Sequence, residues 1–91
     1  MKDRIFIVQS ISHTFDGDEQ LGLAIHKTKE VASINYENFI EQGVKYLVNE
    51  RGWSEDEINK YISDDMTVCK VESDDGVEYV EIGITESILL E

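Results

Sequence analysis

Thr67-Val68-Cys69-Lys70-Val71-Glu72-Ser73-Asp74-Asp75-Gly76-Val77-Glu78-Tyr79-Val80-Glu81-Ile82-Gly83-Ile84 is the stretch whose reading decides the fold. Asp75-Gly76 is a dipeptide that two-residue type I′ hairpin turns favour, because both central positions need positive φ. Pairing outward from it sets Val71 against Val80, Cys69 against Ile82 and Thr67 against Ile84. The opposite face then carries Glu72 against Tyr79, Lys70 against Glu81 and Val68 against Gly83. One apolar face and one polar face with an opposite-charge pair is the pattern of a half-buried antiparallel ribbon.

A second hairpin is predicted at the other end of the chain. Lys2 to Thr14, with Ile5-Phe6-Ile7-Val8 at its centre, reads as a strand, and Leu21 to Lys27 as its partner. Facing Phe15 with Leu21 places Ile7, Ile11, Phe15, Leu21, Leu23 and Ile25 on one face, with Asp16 to Gln20 as a polar loop. Between the hairpins, Thr28 to Arg51 reads as mostly helical, with Ala32, Tyr36, Phe39, Ile40, Tyr46 and Leu47 in one stripe and Gly52 as the stop. Two N-caps are available, Thr28 and Asn35, which leaves residues 28–34 open to helix or strand. Ser54-Glu55-Asp56-Glu57 has the form of a capping box and predicts a short second helix that turns Ile58, Tyr61 and Ile62 inward and ends near Asp64. The expected architecture is therefore α+β in the order ββααββ, a four-stranded antiparallel sheet with helices packed on one face. No repeat, proline or linker divides the chain, so residues 1–91 read as a single small domain.

Charge supplies most of the functional information. Twenty acidic residues oppose eight basic ones, for a net charge of −12. The excess is uneven: residues 50–91 hold thirteen acids and only Arg51, Lys60 and Lys70 as bases, a net of −10, against −2 for residues 1–49. Such a chain is a poor direct ligand for nucleic acid, whose affinity comes largely from Lys and Arg on phosphates. It is equally unsuited to anionic membrane surfaces. The apolar runs are too short for a membrane span or a secretory signal, and the single cysteine, Cys69, makes no internal disulfide, so the chain reads as cytoplasmic.

Each chemical constellation that the residues suggest falls short of a site. Asp16-Gly17-Asp18 resembles the start of a calcium loop, but Leu21 and Lys27 stand where an EF-hand needs glycine and glutamate. His13 and His26 fall on opposite faces of the first hairpin, away from Cys69, so no metal site is expected. Cys69, on the apolar face of its strand, reads as a small hydrophobe rather than a nucleophile. No glycine-rich phosphate loop is present. No catalytic residue or cofactor is predicted, and the expectation is a protein without enzymatic activity.

The first third of the chain resembles a pattern of small bacteriophage and Gram-positive bacterial proteins. The pieces that carry the likeness are Ile5-Phe6-Ile7-Val8, Phe15-Asp16-Gly17-Asp18-Glu19, Leu21-Gly22-Leu23 and Thr28-Lys29-Glu30-Val31-Ala32. In size and charge alone the chain is also similar to phage-encoded DNA-mimic inhibitors, such as uracil-DNA glycosylase inhibitors and some anti-CRISPR proteins. The resemblance implies an acidic protein-binding module that blocks a nucleic-acid-binding protein, with carboxylates standing in for phosphates. The expected contact residues are Glu55, Asp56, Glu57, Asp64, Asp65, Asp74 and Asp75, with Trp53 as an apolar anchor, although a lone tryptophan also suits a core position. The expected partner is a protein with a basic surface. The alternative is a self-associating structural module that pairs through a sheet edge or through Ile88, Leu89 and Leu90.

Overall fold

The computed structural model describes residues 2–90, with side chains from 4 to 88. Strand β1 (Lys2–Thr14) and β2 (Gly17–His26) are followed by helix α1 (Lys29–Asn49) and a single 3-10 turn (Glu55–Glu57). Strands β3 (Ile58–Ile62), β4 (Val68–Ser73) and β5 (Tyr79–Leu90) complete the chain order. The strands form one antiparallel sheet in the spatial order β2-β1-β5-β4-β3. The expectation of four strands and two helices is thereby corrected to five strands and one α-helix, ββαβββ.

The second predicted helix is where the two architectures part. Its capping box does form, with the Ser54 N–H donating to Glu57 Oε1 at 3.1 Å. Only one 3-10 turn follows before Ile58-Asn59-Lys60-Tyr61-Ile62 extends and pairs with β4. Two isoleucines and a tyrosine in five residues favour a pleated strand. The polar edge of β4 next to them offers a ladder of hydrogen bonds that a two-turn helix cannot match.

Helix α1 matches its predicted stripe closely. Thr28 is the N-cap, its Oγ1 accepting from the Val31 N–H at 3.3 Å, so residues 29–34 are helix. Ala32, Tyr36, Phe39, Gly43 and Leu47 are buried against the sheet. Gly52 follows with φ of 79°, a left-handed stop that a side chain would strain. Small residues let the helix approach. A Cβ on Gly22 would stand 2.9 Å from Phe39 Cζ, and one on Gly43 would stand 3.3 Å from Val80 Cγ1. Below the helix the core is built from Val8, Cys69, Val71, Val80 and Ile82, with Ser10 and Ser12 of β1 buried beside them.

Strands β4 and β5 pair in the register read from the sequence, Val71 with Val80, Cys69 with Ile82 and Glu72 with Tyr79. Their turn is longer than two residues: Ser73 N–H donates to Glu78 O, and Gly76, at φ 71°, sits within a four-residue loop. The first hairpin is the larger correction. Its turn is Phe15-Asp16, not Asp16 to Gln20, and it sets His13 against Asp18 and Ile11 against Gln20. The register then shifts, leaving Leu21 as an extra residue packed toward the core, before Gln9 pairs with Leu23 and Ile7 with Ile25. Ile7, Ile11, Leu23 and Ile25 do share a face, but it is the face that α1 does not cover. Phe15 stands in the turn, exposed. The two hairpins therefore contribute different kinds of strand to the core: β4 and β5 bury their apolar side, whereas β1 buries Val8 with Phe6 on one side and Ser10 and Ser12 on the other.

Candidate functional site

The C-terminal acids gather around the edge strand β3. Glu55, Asp56 and Glu57 lie immediately before its first residue, Ile58, which pairs with Ser73, so Asp74 and Asp75 emerge at the same end. The Asn59 side-chain amide donates to Asp74 Oδ1 at 2.8 Å and ties the two groups together. Asp64 and Asp65 follow the last residue, Ile62, at the other end. Five residues of strand separate the two acidic groups, about 16 Å at ~3.3 Å per residue. Six of these seven carboxylates are exposed and Glu57 is half-buried.

Two of them are fixed by their own turns. Asp65 Oδ1 accepts from the Ser63 and Thr67 hydroxyls, both at 2.7 Å, and from the Thr67 N–H at 3.1 Å. These bonds, the Ser63 hydroxyl first, hold the Asp65 carboxyl below the usual carboxylate range. Asp75 Oδ1 accepts from the Ser73 hydroxyl at 2.6 Å and the Val77 N–H at 3.0 Å, which depresses its pKa in the same way. The molecule thus presents ionised carboxylates in set positions at each end of an edge strand.

Trp53 occupies a different place. It is half-buried and packs against the core, and its indole N–H donates to Glu78 Oε1 at 2.8 Å. Glu78 is only 3% exposed. Its other oxygen accepts from the Arg51 guanidinium, through Nε at 3.0 Å and through a terminal nitrogen, and from the Phe15 N–H at 3.4 Å. Arg51 also reaches Asp16 at 2.6 Å. This cluster joins the end of α1 to the β1–β2 and β4–β5 turns, and Arg51 outweighs burial in holding the Glu78 carboxyl below its ordinary pKa. Sequence reasoning passed over it, although Arg51 stands out as one of three bases among thirteen acids in its half of the chain.

A cleft of about 400 Å³ opens between α1 and the β3–β4 turn, beside Asp65. Its walls include Ile40 of the helix, Ile62 of β3, Met66 of the turn and Ile84 of β5. Tyr36 lines it and is 8% exposed, and its hydroxyl is buried without a hydrogen-bond partner. Burial, with lesser contributions from Cys69 and Asp65, pushes the Tyr36 hydroxyl up to about 12. Tyr36 was legible in the sequence as a core residue; its unpaired oxygen was not.

The remaining residues weighed for chemistry lie apart. His13 is on the uncovered face, bonded to Asp18 at 2.9 Å and stacked on Tyr79 with ring centroids 4.6 Å apart. Lys70 Nζ sits 4.3 Å from the centre of the same Tyr79 ring and 3.3 Å from Glu72. His26 is on the helix side, with Asn35 at 2.9 Å. Cys69 is fully buried, and burial raises its thiol pKa, the reverse of what a nucleophile needs. Among the described residues no three of His, Cys, Asp and Glu converge as metal ligands, and no helix is long and apolar enough to cross a membrane. Of the self-association segment, Ile88 is exposed at the end of β5, while the side chains of Leu89 and Leu90 lie outside the described residues. No protein-family model, curated protein or solved structure matches the chain, so its function is read from this geometry alone.

Proposed function

We infer that this protein is a non-enzymatic acidic binding module that occupies the basic, nucleic-acid-binding surface of another protein. The observation that carries the reading is the placement of Glu55, Asp56, Glu57, Asp74 and Asp75 at one end of the edge strand β3 and of Asp64 and Asp65 at the other. Carboxylates held by their own turns lose little freedom on binding, which is what a rigid imitation of phosphate charge requires. The Trp53 indole is engaged with Glu78, so the apolar contribution comes instead from Tyr61 and Ile62, both exposed on β3 between the acidic groups. The role is that of the phage inhibitors which the chain resembles in size and charge.

Charge complementarity acts mainly on the association rate and weakens with salt. The test is capture of partners from a bacterial lysate at low and at high salt, beside a variant in which all seven acids become Asn or Gln. A nucleic-acid-binding protein retained at low salt, released at high salt and missed by the variant supports the proposal. Retention of the same partner by the variant overturns it.

A second reading, self-association, draws on a separate observation. Leu23 and Ile25 are more than half exposed on the uncovered sheet face, alongside Ile7 and Ile11. Sedimentation at high salt separates the two: a concentration-dependent dimer favours the second reading, and a persistent monomer counts against it.

A further inference from the structure

The two edges of the sheet, β2 and β3, are built differently. Strand β3 has Lys60 at its middle and carboxylates at both ends, so a second β3 laid along it in either direction would set acid against acid. Strand β2 lacks these guards. From Gln20 to His26 it holds no acid, lysine, arginine or proline. Its charges stand at the two ends and differ in sign: Asp18 and Glu19 at the start, Lys27 and Lys29 just past the finish, with Glu30 behind them. Asp18, Glu19, Lys27 and Lys29 are all exposed. Glu19, Lys27 and Lys29 make no ion pair among the described residues.

A strand that is acidic at one end and basic at the other is complementary to itself when turned antiparallel, because each acidic end then meets a basic one. That complementarity selects a second copy of this chain as the occupant of the edge. The register follows from the pleat. Leu21 is the extra residue of the β1–β2 bulge, which leaves Gly22 to His26 as the regular run. A twofold axis perpendicular to the sheet keeps each face on its own side, so it must lie between two copies of the same residue, and Ala24 is the middle of the run. Leu23 of each copy then faces Ile25 of the other on the uncovered face, where both side chains are more than half exposed. Ile7, the β1 neighbour of Ile25, extends this apolar strip on either side of the junction. On the helix side Ala24 meets Ala24 and Gly22 lies against His26, so no two large side chains oppose each other there.

We propose that two copies of this chain pair antiparallel along β2, about a twofold axis at Ala24, into one continuous ten-stranded sheet. The pairing rests on self-association, the second reading above, and gives it an edge and a register; it is independent of acidic docking. It leaves the two β3 edges at opposite margins of the sheet, about 43 Å apart at ~4.8 Å between neighbouring strands. The dimer would then offer its acidic edge twice, facing outward.

The test is sedimentation velocity on the full chain across a concentration range, at a physiological ionic strength that screens charges beyond ~8 Å. Lys27→Glu with Lys29→Glu should weaken dimerisation about tenfold, and so should Asp18→Lys with Glu19→Lys, although the second pair brings the net charge nearer zero. All four substitutions together should restore dimerisation to within about threefold of the unsubstituted protein. General repulsion between acidic copies would instead respond to the two reversals in opposite senses. Cα atoms of directly opposed antiparallel residues lie about 4.5–5.5 Å apart, within disulfide reach. Ala24→Cys should therefore oxidise to a linked dimer, and Asn59→Cys on the far edge should not. A monomer at every concentration would overturn both this pairing and self-association. A dimer indifferent to the two charge reversals, a dimer strengthened by Asp18→Lys with Glu19→Lys, or an Ala24→Cys variant that does not link would overturn the β2 pairing alone and leave association through the uncovered face.

Discussion

Met66 shows how much a single backbone angle carries. It is 67% exposed, so no packing compensates for holding a β-carbon at φ 60°, a region that L residues other than Gly, Asn and Asp seldom enter. Met66→Gly should therefore raise stability by about 0.5–1 kcal/mol, read as an upward shift of the urea midpoint without a change in slope. Glu78 works in the other direction, through its proton. Its carboxyl, like those of Asp65 and Asp75, has a lower pKa in the folded chain than in the unfolded one. The unfolded state then takes up protons first on acidification. The stability these groups supply is complete above the ordinary carboxylate range, around pH 4 to 4.5, and drains away as pH falls through their lower folded values. Urea midpoints measured from pH 7 to pH 2 should hold steady and then drop below about pH 4. Glu78→Gln should lower the plateau and flatten the drop, because Arg51 and Trp53 lose their carboxylate at every pH. At this scale the sequence was partly legible: the acids of the candidate site could be named from charge alone. The partners of Glu78 and the solitude of the Tyr36 hydroxyl depend on residues far away in the chain, and no local pattern records them.

Elements were legible where their pattern had one interpretation. The body of α1 and the β4–β5 pairing follow from stripes and alternation that match the structure, whereas residues 28–34, open to helix or strand in the sequence, are settled as helix by the Thr28 cap. Residues 54–64 carried two signals at once, a helix start at Ser54 and a strand-forming run at Ile58 to Ile62, and the free edge of β4 settled the contest. In β1 the alternation is legible but its covered side is not, because that side carries Ser10 and Ser12 after Phe6 and Val8, and two serines look solvent-facing until a helix is known to lie close above them. Strand β3 also guards itself. Lys60 points to the helix side of an edge strand and lies exposed there between Ile58 and Ile62, and a lysine at such a place hinders the addition of a further strand. Lys60→Ile should leave the fold intact by circular dichroism and make the sedimentation coefficient rise more steeply with concentration than that of the unsubstituted protein. An unchanged coefficient up to the solubility limit would show that the edge is protected by something other than this lysine.

For the whole molecule, charge and topology divide the chain in different ways. Acidity is concentrated after residue 50, whereas the sheet interleaves the two ends of the chain, with β5 lying between β1 and β4. The uncovered face divides again: isoleucines and Leu23 crowd its β1–β2 side, and the row Asp18, His13, Tyr79, Lys70 and Glu72 crosses its other end. None of this arrangement could be read before the strand order was known, since it depends on which strands become neighbours rather than on what each contains. The central position of β5 also sets a timetable. Two hairpins, β1–β2 and β3–β4, can form from nearby residues, but within the sheet they are joined only through β5, which follows both in the chain. Until Tyr79 to Leu90 is in place, the two ribbons share only the packing of α1 on both, and the pairing of Lys2 with Leu90 closes a long loop. Folding should accordingly wait on the docking of β5, and be slow for so short a domain.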